Sequence, residues 1–168
     1  MKHLPIAAFA ISFALTAVPG AAATLGTITG DGFTLAMPGT PTKSASEVDT
    51  PGGKVLTQEW MAKDQGVVYA VTTADYPVAL VKRVKASVFV SNARDAVAER
   101  LNGRITSEAP VLLGANLGLA FTITSDIGEL KGRSYMIGQR GYTLMVLHRS
   151  GDDAPQADAY LSSLRITQ

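Results

Sequence analysis

His148 is the residue of the sequence best suited to acid–base chemistry, because a serine and two aspartates follow it closely. A Ser/His/Asp hydrolase uses a histidine to take the serine proton and a carboxylate to orient the histidine. Ser150, Asp152 and Asp153 supply these residue types, but the G-x-S-x-G turn that exposes a nucleophilic serine does not occur. We therefore predict no catalytic residue and keep a hydrolase around His148 as the weakest of three hypotheses.

The sequence supports a metal site or a nucleotide site no better than it supports a hydrolase. The chain has two histidines and no cysteine, whereas catalytic zinc usually takes two or three histidines. Asp152, Asp153 and Asp158 lack the glycine and the terminal glutamate of an EF-hand loop, and aspartates are common where a helix begins. No Walker loop and no G-x-G-x-x-G occurs. We therefore predict neither a bound metal nor a cofactor.

Lys82, Arg83 and Lys85 form a short basic run, which either binds an anionic partner or is an ordinary solvated surface. The formal net charge of the whole chain is only +1. A nearly neutral chain gives no electrostatic reason to expect nucleic acid as a partner. We retain the three basic residues as a candidate surface for a partner or a ligand.

Trp60 and Tyr69 fall on neighbouring strands of a predicted hairpin. Such aromatics more often pack in a core than line a groove. We include both residues in the candidate surface, and we expect a cleft between this hairpin and a loop at 38–51.

Residues 117–148 are the stretch around which the other elements are predicted to be arranged. Their first strand alternates apolar with small or polar residues, as a strand with one buried face does, and its apolar face is Leu117, Leu119, Phe121 and Ile123. Residues 142–147 are apolar on both faces apart from Thr143, which is typical of a central strand covered on both sides. The stretch is therefore predicted to be a three-stranded meander.

The rest of the chain supplies further strands and two helices. Strands are predicted at 33–37, 54–61, 67–76, 104–113 and 165–167, and polar loops at 24–31 and 42–51. One helix is predicted at 87–101, with Ser87 as its cap and a stripe of Val90, Ala93, Val97 and Leu101. A second is predicted at 154–164, with Asp152 and Asp153 before it. This order predicts an α+β fold, a largely antiparallel sheet of about six to seven strands with two amphipathic helices packed on it.

Residues 1–23 have the features of a secretory signal peptide. Lys2 and His3 form a basic start, an apolar run follows, and three alanines precede the expected cleavage point before Thr24. An uncleaved anchor is the alternative, but the apolar run has about 15 residues and a span needs ~20. We expect a single globular domain at 24–168, periplasmic or secreted, with no membrane span after cleavage.

Several motifs resemble small exported bacterial domains of unknown function. These motifs are F-x-L-x-M-P-G-x-P at 33–41, V-Y-x-V and D-Y-P within 68–77, R-x-Y-x-I-G-x-R-x-Y at 133–142, and Y-L-S-S-L at 160–164. Together with the order of elements they resemble the PsbP-like α/β/α sandwich. The resemblance covers most of 33–168 and implies that fold and an exported, non-enzymatic, partner-binding protein.

Three functional hypotheses follow. The leading one is a non-enzymatic protein that binds or helps assemble another envelope protein. The alternative is a carrier or sensor of a small apolar ligand in a cleft between the sheet and a helix, and the third is the hydrolase around His148.

Overall fold

The computed structural model describes residues 24–167, so the predicted signal peptide at 1–23 lies outside the described residues. The first two strands, β1 (Leu25–Gly30) and β2 (Phe33–Pro38), pair with each other in an antiparallel hairpin. The last strand, β10 (Arg165–Ile166), pairs antiparallel with the other edge of β2. These three strands form a small sheet of their own.

The remaining seven strands form one antiparallel sheet. They are β3 (Thr42–Thr50), β4 (Gly53–Asp64), β5 (Val67–Asp75), β6 (Arg104–Leu113), β7 (Asn116–Ser125), β8 (Gly128–Ile137) and β9 (Arg140–His148). Their order across the sheet is β3-β4-β5-β9-β8-β7-β6. The two hairpin systems, 42–75 and 104–148, therefore meet where β5 pairs with β9.

In the described part of the chain, 24–167, three helices connect and cover these strands. They are α1 (Val78–Val81), α2 (Ala86–Arg100) and α3 (Ala157–Leu161). Across 24–167, none of them has the length and apolar character needed to cross a membrane.

One face of the large sheet is covered by β2 and α3. Phe33 of β2 packs edge-on against Trp60 and Tyr142, with ring centroids 5.2 and 5.8 Å apart. Tyr160 of α3 is completely buried, and its hydroxyl donates to the Ala70 carbonyl at 2.6 Å. This side of the core also contains Leu35, Met37, Tyr69, Val71, Leu144, Val146, Leu161 and Leu164.

The opposite face is covered by α2, which packs against β7, β8 and β9. The buried residues here include Val68, Ala70, Phe121, Ile123, Leu130, Leu147, Ala98 and Leu101. The chain leaves the helix through Asn102, whose φ is 46°. Gly103 follows, and a Cβ atom there would lie 2.6 Å from Ile123 Cγ2. Only a glycine therefore allows the chain to pass so close to β7.

Arg140 joins the small sheet to the large one. Its guanidinium bonds the Asp75 carboxylate through Nε at 2.5 Å and Nη2 at 2.8 Å, and Nη2 also reaches Asp31 Oδ2 at 2.9 Å. Asp31 lies in the turn between β1 and β2, so one planar side chain fixes that hairpin against β5 and β9.

The predicted fold class is confirmed. The large sheet is antiparallel and both of its faces are covered, as expected from the strands that are apolar on both sides. The predicted strands at 33–37, 54–61, 67–76 and 104–113 and the meander at 117–148 are all present.

Two segments predicted to be loops are strands instead. Residues 25–30 form β1 and residues 42–50 form β3. Both are rich in small and polar residues, and β3 is an edge strand whose side chains are almost all exposed. An edge strand with neither face buried carries no alternating apolar pattern, so its sequence resembles a loop.

Three finer predictions were also wrong. The last helix covers Ala157–Leu161 rather than 154–164, so Asp152 and Asp153 lie several residues before it and not at its start. Helix α2 begins at Ala86 without a side-chain cap, so Ser87 lies inside its first turn. Leu117 is 61% exposed, because it lies at the tip of the β6–β7 hairpin beside Leu112.

Candidate functional site

A row of polar side chains crosses the middle of the large sheet beneath α2. Glu59, Thr72, Thr143 and Ser134 are successive cross-strand partners on β4, β5, β9 and β8. Because directly opposite residues of an antiparallel pair project from the same face, all four side chains lie on the face that α2 covers. We call these four residues the polar row.

The polar row is hydrogen-bonded in two pairs. The hydroxyls of Ser134 and Thr143 lie 3.0 Å apart, and the Thr72 hydroxyl donates to Glu59 Oε2 at 3.4 Å. Ser134 is 1% exposed and Glu59 is 6% exposed. Each hydroxyl has one donor and two acceptor positions, so these two bonds leave capacity for a further partner.

Helix α2 places small and apolar side chains opposite the polar row. Ala93 and Ala96 lie over its centre and leave a gap between the helix and the sheet, which Phe89 and Val90 close at one end. The gap has a cavity volume of about 70 Å³. This is well below the roughly 300–1,000 Å³ of a typical small-molecule site, so the gap admits a slender group rather than a whole ligand.

Arg100 is the charged residue that lines the gap, and it interacts electrostatically with Glu59 at the end of the polar row. Burial raises the pKa of the Glu59 carboxyl above its ordinary value, while Arg100 and the Thr72 hydroxyl act in the opposite direction. Burial likewise lowers the pKa of Arg100. Within 24–167 no direct ion pair joins the two groups. Arg100 lines the gap itself, whereas Glu59 lies outside the residues that line it.

This arrangement is suited to binding rather than to covalent chemistry. The gap combines an apolar wall with a few convergent polar groups, which is the usual composition of a ligand site.

The sequence did not indicate this site, because its members are far apart in the chain and only the strand pairing brings them together. Thr143 is the one signal that could have been followed, since it interrupts the apolar run 142–147. A polar residue inside a doubly covered strand must find a partner, and its partner here is Ser134.

The structure does not assemble a triad at His148. The ring is buried, its Nδ1 lies 3.0 Å from the Arg149 carbonyl, and its Nε2 lies 3.7 Å from Glu129 Oε1. Ser150 and Asp152 are exposed in the following turn. The histidine therefore meets a backbone carbonyl and a glutamate, and no serine.

The five residues of the predicted surface lie in different places. Trp60 and Tyr69 are buried in the core, the more common fate of such aromatics, and they do not line a groove. Lys82, Arg83 and Lys85 are exposed on the connection between α1 and α2. The predicted cleft between the hairpin and 38–51 is absent, because β3 pairs with β4 along its whole length.

A solved structure resembles this architecture. The solution structure of cyanobacterial PsbP (CyanoP) from Synechocystis sp. PCC 6803 matches it with a TM-score of 0.54, covering 90% of this chain and 98% of that chain. The fold is PsbP-like. The sequences of this chain and the cyanobacterial PsbP are 11% identical, so the likeness concerns the PsbP-like fold alone. No family model and no curated protein matches the chain.

Proposed function

We propose that the protein is a non-enzymatic carrier or sensor of a small ligand, held between α2 and the large sheet. The observation that supports this most is the gap between the hydroxyls of Thr72, Thr143 and Ser134 and the alanines of α2. These hydroxyls keep hydrogen-bonding capacity beyond the bonds they make within the polar row. A ligand in the gap would use that capacity.

The lining indicates an amphipathic ligand. Its polar end would exchange hydrogen bonds with the hydroxyls of Thr72, Thr143 and Ser134, and Arg100 would donate to it. Its apolar part would lie against Phe89, Val90 and Met145. Since the enclosed volume is only about 70 Å³, a slender group enters beneath α2 and the rest lies in the open part of the groove.

The proposed location is the periplasm or the exterior of the cell, after removal of residues 1–23. It depends on the features of the leader. A carrier or sensor there would meet its ligand outside the cytoplasm.

Native mass spectrometry of the protein purified from its own host tests this proposal. We expect a reproducible added mass on the wild-type chain, and its loss in Ala96→Leu, which fills the gap. Ala86→Leu is the matched control, because Ala86 is an exposed residue of the same helix. A bare wild-type chain, or an adduct that persists in Ala96→Leu, would contradict a ligand at this place.

A second candidate function, binding or helping to assemble another envelope protein, is favoured by the tip of the β6–β7 hairpin. Leu112 and Leu117 are direct cross-strand neighbours there and are 67% and 61% exposed. Exposed apolar side chains in contact with each other are typical of protein-binding surfaces. Crosslinking in intact cells followed by pull-down should enrich one partner, and Leu112→Ser with Leu117→Ser should abolish it. Recovery of the protein alone would contradict this candidate.

A further inference from the structure

A second groove lies on the opposite face of the large sheet, where α3 and β2 leave β6, β7 and part of β8 uncovered. It has a volume of about 210 Å³, and α3 borders it through Asp158 and Leu161. It is separated from the polar row by the sheet itself, so it is independent of the proposed ligand cavity.

Strand pairing builds this groove from two rows of three residues. Lys131 is followed across the sheet by Thr122 and Ser107, and Arg133 is followed by Ala120 and Ala109. Each row thus begins with a cation on β8 and continues with two small side chains on β7 and β6. Neighbouring strands lie about 4.8 Å apart, so the small residues form a shelf about 10 Å wide beside the two charges.

The two cations differ in how they are held. Arg133 is half-buried, and its Nη1 donates to the Leu161 carbonyl at 3.3 Å and to Ser162 Oγ at 3.2 Å. These bonds fix the guanidinium at the end of α3. It also bonds the Tyr135 hydroxyl, so part of its five N–H donors is left for a ligand. Lys131 is exposed, and among residues 24–167 no ion pair or hydrogen bond engages its ammonium. Two acids, Asp158 and Glu108, line the groove together with the two cations. Glu108 pairs with Arg94, which lies outside the groove, so the charge that remains among the lining residues is positive.

We propose that this shelf binds the oxyanion group of a small organic molecule, a carboxylate or a phosphate. A fixed guanidinium presents paired N–H donors that match either oxyanion, and an ammonium adds a point charge. The hydroxyls of Thr122 and Ser107 lie beside Lys131 and can donate to the same oxygens. The shelf of Ala109 and Ala120 leaves room for the body of the molecule, which distinguishes this groove from the basic run at 82–85.

Titrations of the ¹⁵N-labelled mature chain, followed by NMR, test the proposal with inorganic phosphate in one arm and acetate in the other. We expect saturable shifts of the amides around Lys131, Arg133 and Thr122, with a dissociation constant on the order of 1 mM. The arm with the tighter binding identifies the oxyanion. Lys131→Gln and Ala109→Leu should each weaken binding about threefold or more, while Lys82→Gln should not. Ala109 is exposed on an edge strand, and the dispersion of the spectrum will show that this variant is folded.

Three results would overturn the proposal. They are the absence of saturation in both arms, equally large shifts around 82–85, and unchanged binding in a folded Ala109→Leu variant. The first would show that no oxyanion site exists, and the other two would reduce the groove to an ordinary solvated surface.

Discussion

The hydroxyls of Ser134 and Thr143 lie 3.0 Å apart on adjacent strands beneath α2. Both strands are in the middle of the large sheet, and Ser134 is almost completely buried. This pair forms one end of the polar row and provides polar partners in a part of the sheet that is otherwise apolar.

We predict that removing one of these two hydroxyls lowers the free energy of unfolding more than removing both. Ser134→Ala leaves the Thr143 hydroxyl without its partner and should lower the free energy of unfolding by about 1–2 kcal/mol. The double variant with Thr143→Val removes both hydroxyls and should recover most of this loss. Urea unfolding of the three proteins measures the difference, and a double variant that loses the sum of the two single effects would contradict the pairing.

Glu59→Gln is predicted to stabilise the protein. Because burial raises the pKa of Glu59, its stabilising form is the protonated one, and that contribution is lost as the pH rises through the folded-state pKa. The uncharged glutamine should therefore raise the urea midpoint at neutral pH, with a smaller effect below the ordinary carboxyl pKa. Glu99→Gln, at an exposed position of α2, is the control and should leave the midpoint unchanged. A lower midpoint for Glu59→Gln at neutral pH would contradict this prediction, because it would show that the Glu59 carboxylate stabilises the folded chain.

The tyrosines are predicted to make the fold sensitive to alkali. Burial raises the pKa of all five above 10.0, and that of Tyr69 to about 12. In the unfolded chain they lose their protons near the ordinary value, so their contribution to stability is fully present below pH 10 and declines above it. Each tyrosine should remove up to about 1.4 kcal/mol per pH unit in that range.

Tyrosinate absorbance measured together with near-ultraviolet circular dichroism checks this prediction. We expect the absorbance to rise as the native dichroism disappears. Ionisation of most tyrosines near pH 10 in a protein that keeps its native dichroism would contradict the burial described above.

The elements that could be predicted from the sequence are those with one or two buried faces. Phe33, Leu35 and Met37 alternate because every second residue enters the core, and this spacing was sufficient to place β2. Strand β3 was missed since it lies at an edge and buries almost nothing. Its position depends on backbone hydrogen bonding to β4. This pairing does not require particular side chains, so the sequence gives no sign of the strand.

The candidate site could not be predicted for a different reason. Glu59, Thr72, Ser134 and Thr143 become neighbours only through the register of three strand pairs. A shift of one residue in any of them would move a side chain to the other face. Sequence periodicity identifies a strand but does not specify its partner or register, so the polar row becomes visible only in the folded chain.

The proposal of a ligand between α2 and the sheet is tested most directly by comparing the thermal unfolding of two samples of the protein, one as purified and one after any ligand has been removed. Protein purified from its host is compared with the same protein after unfolding in denaturant, dialysis and refolding. A ligand that binds only the folded chain raises the Tm, so the host-purified sample should melt at a higher temperature, and Ala96→Leu should show no such difference. Equal Tm values for the two wild-type samples would contradict a bound ligand.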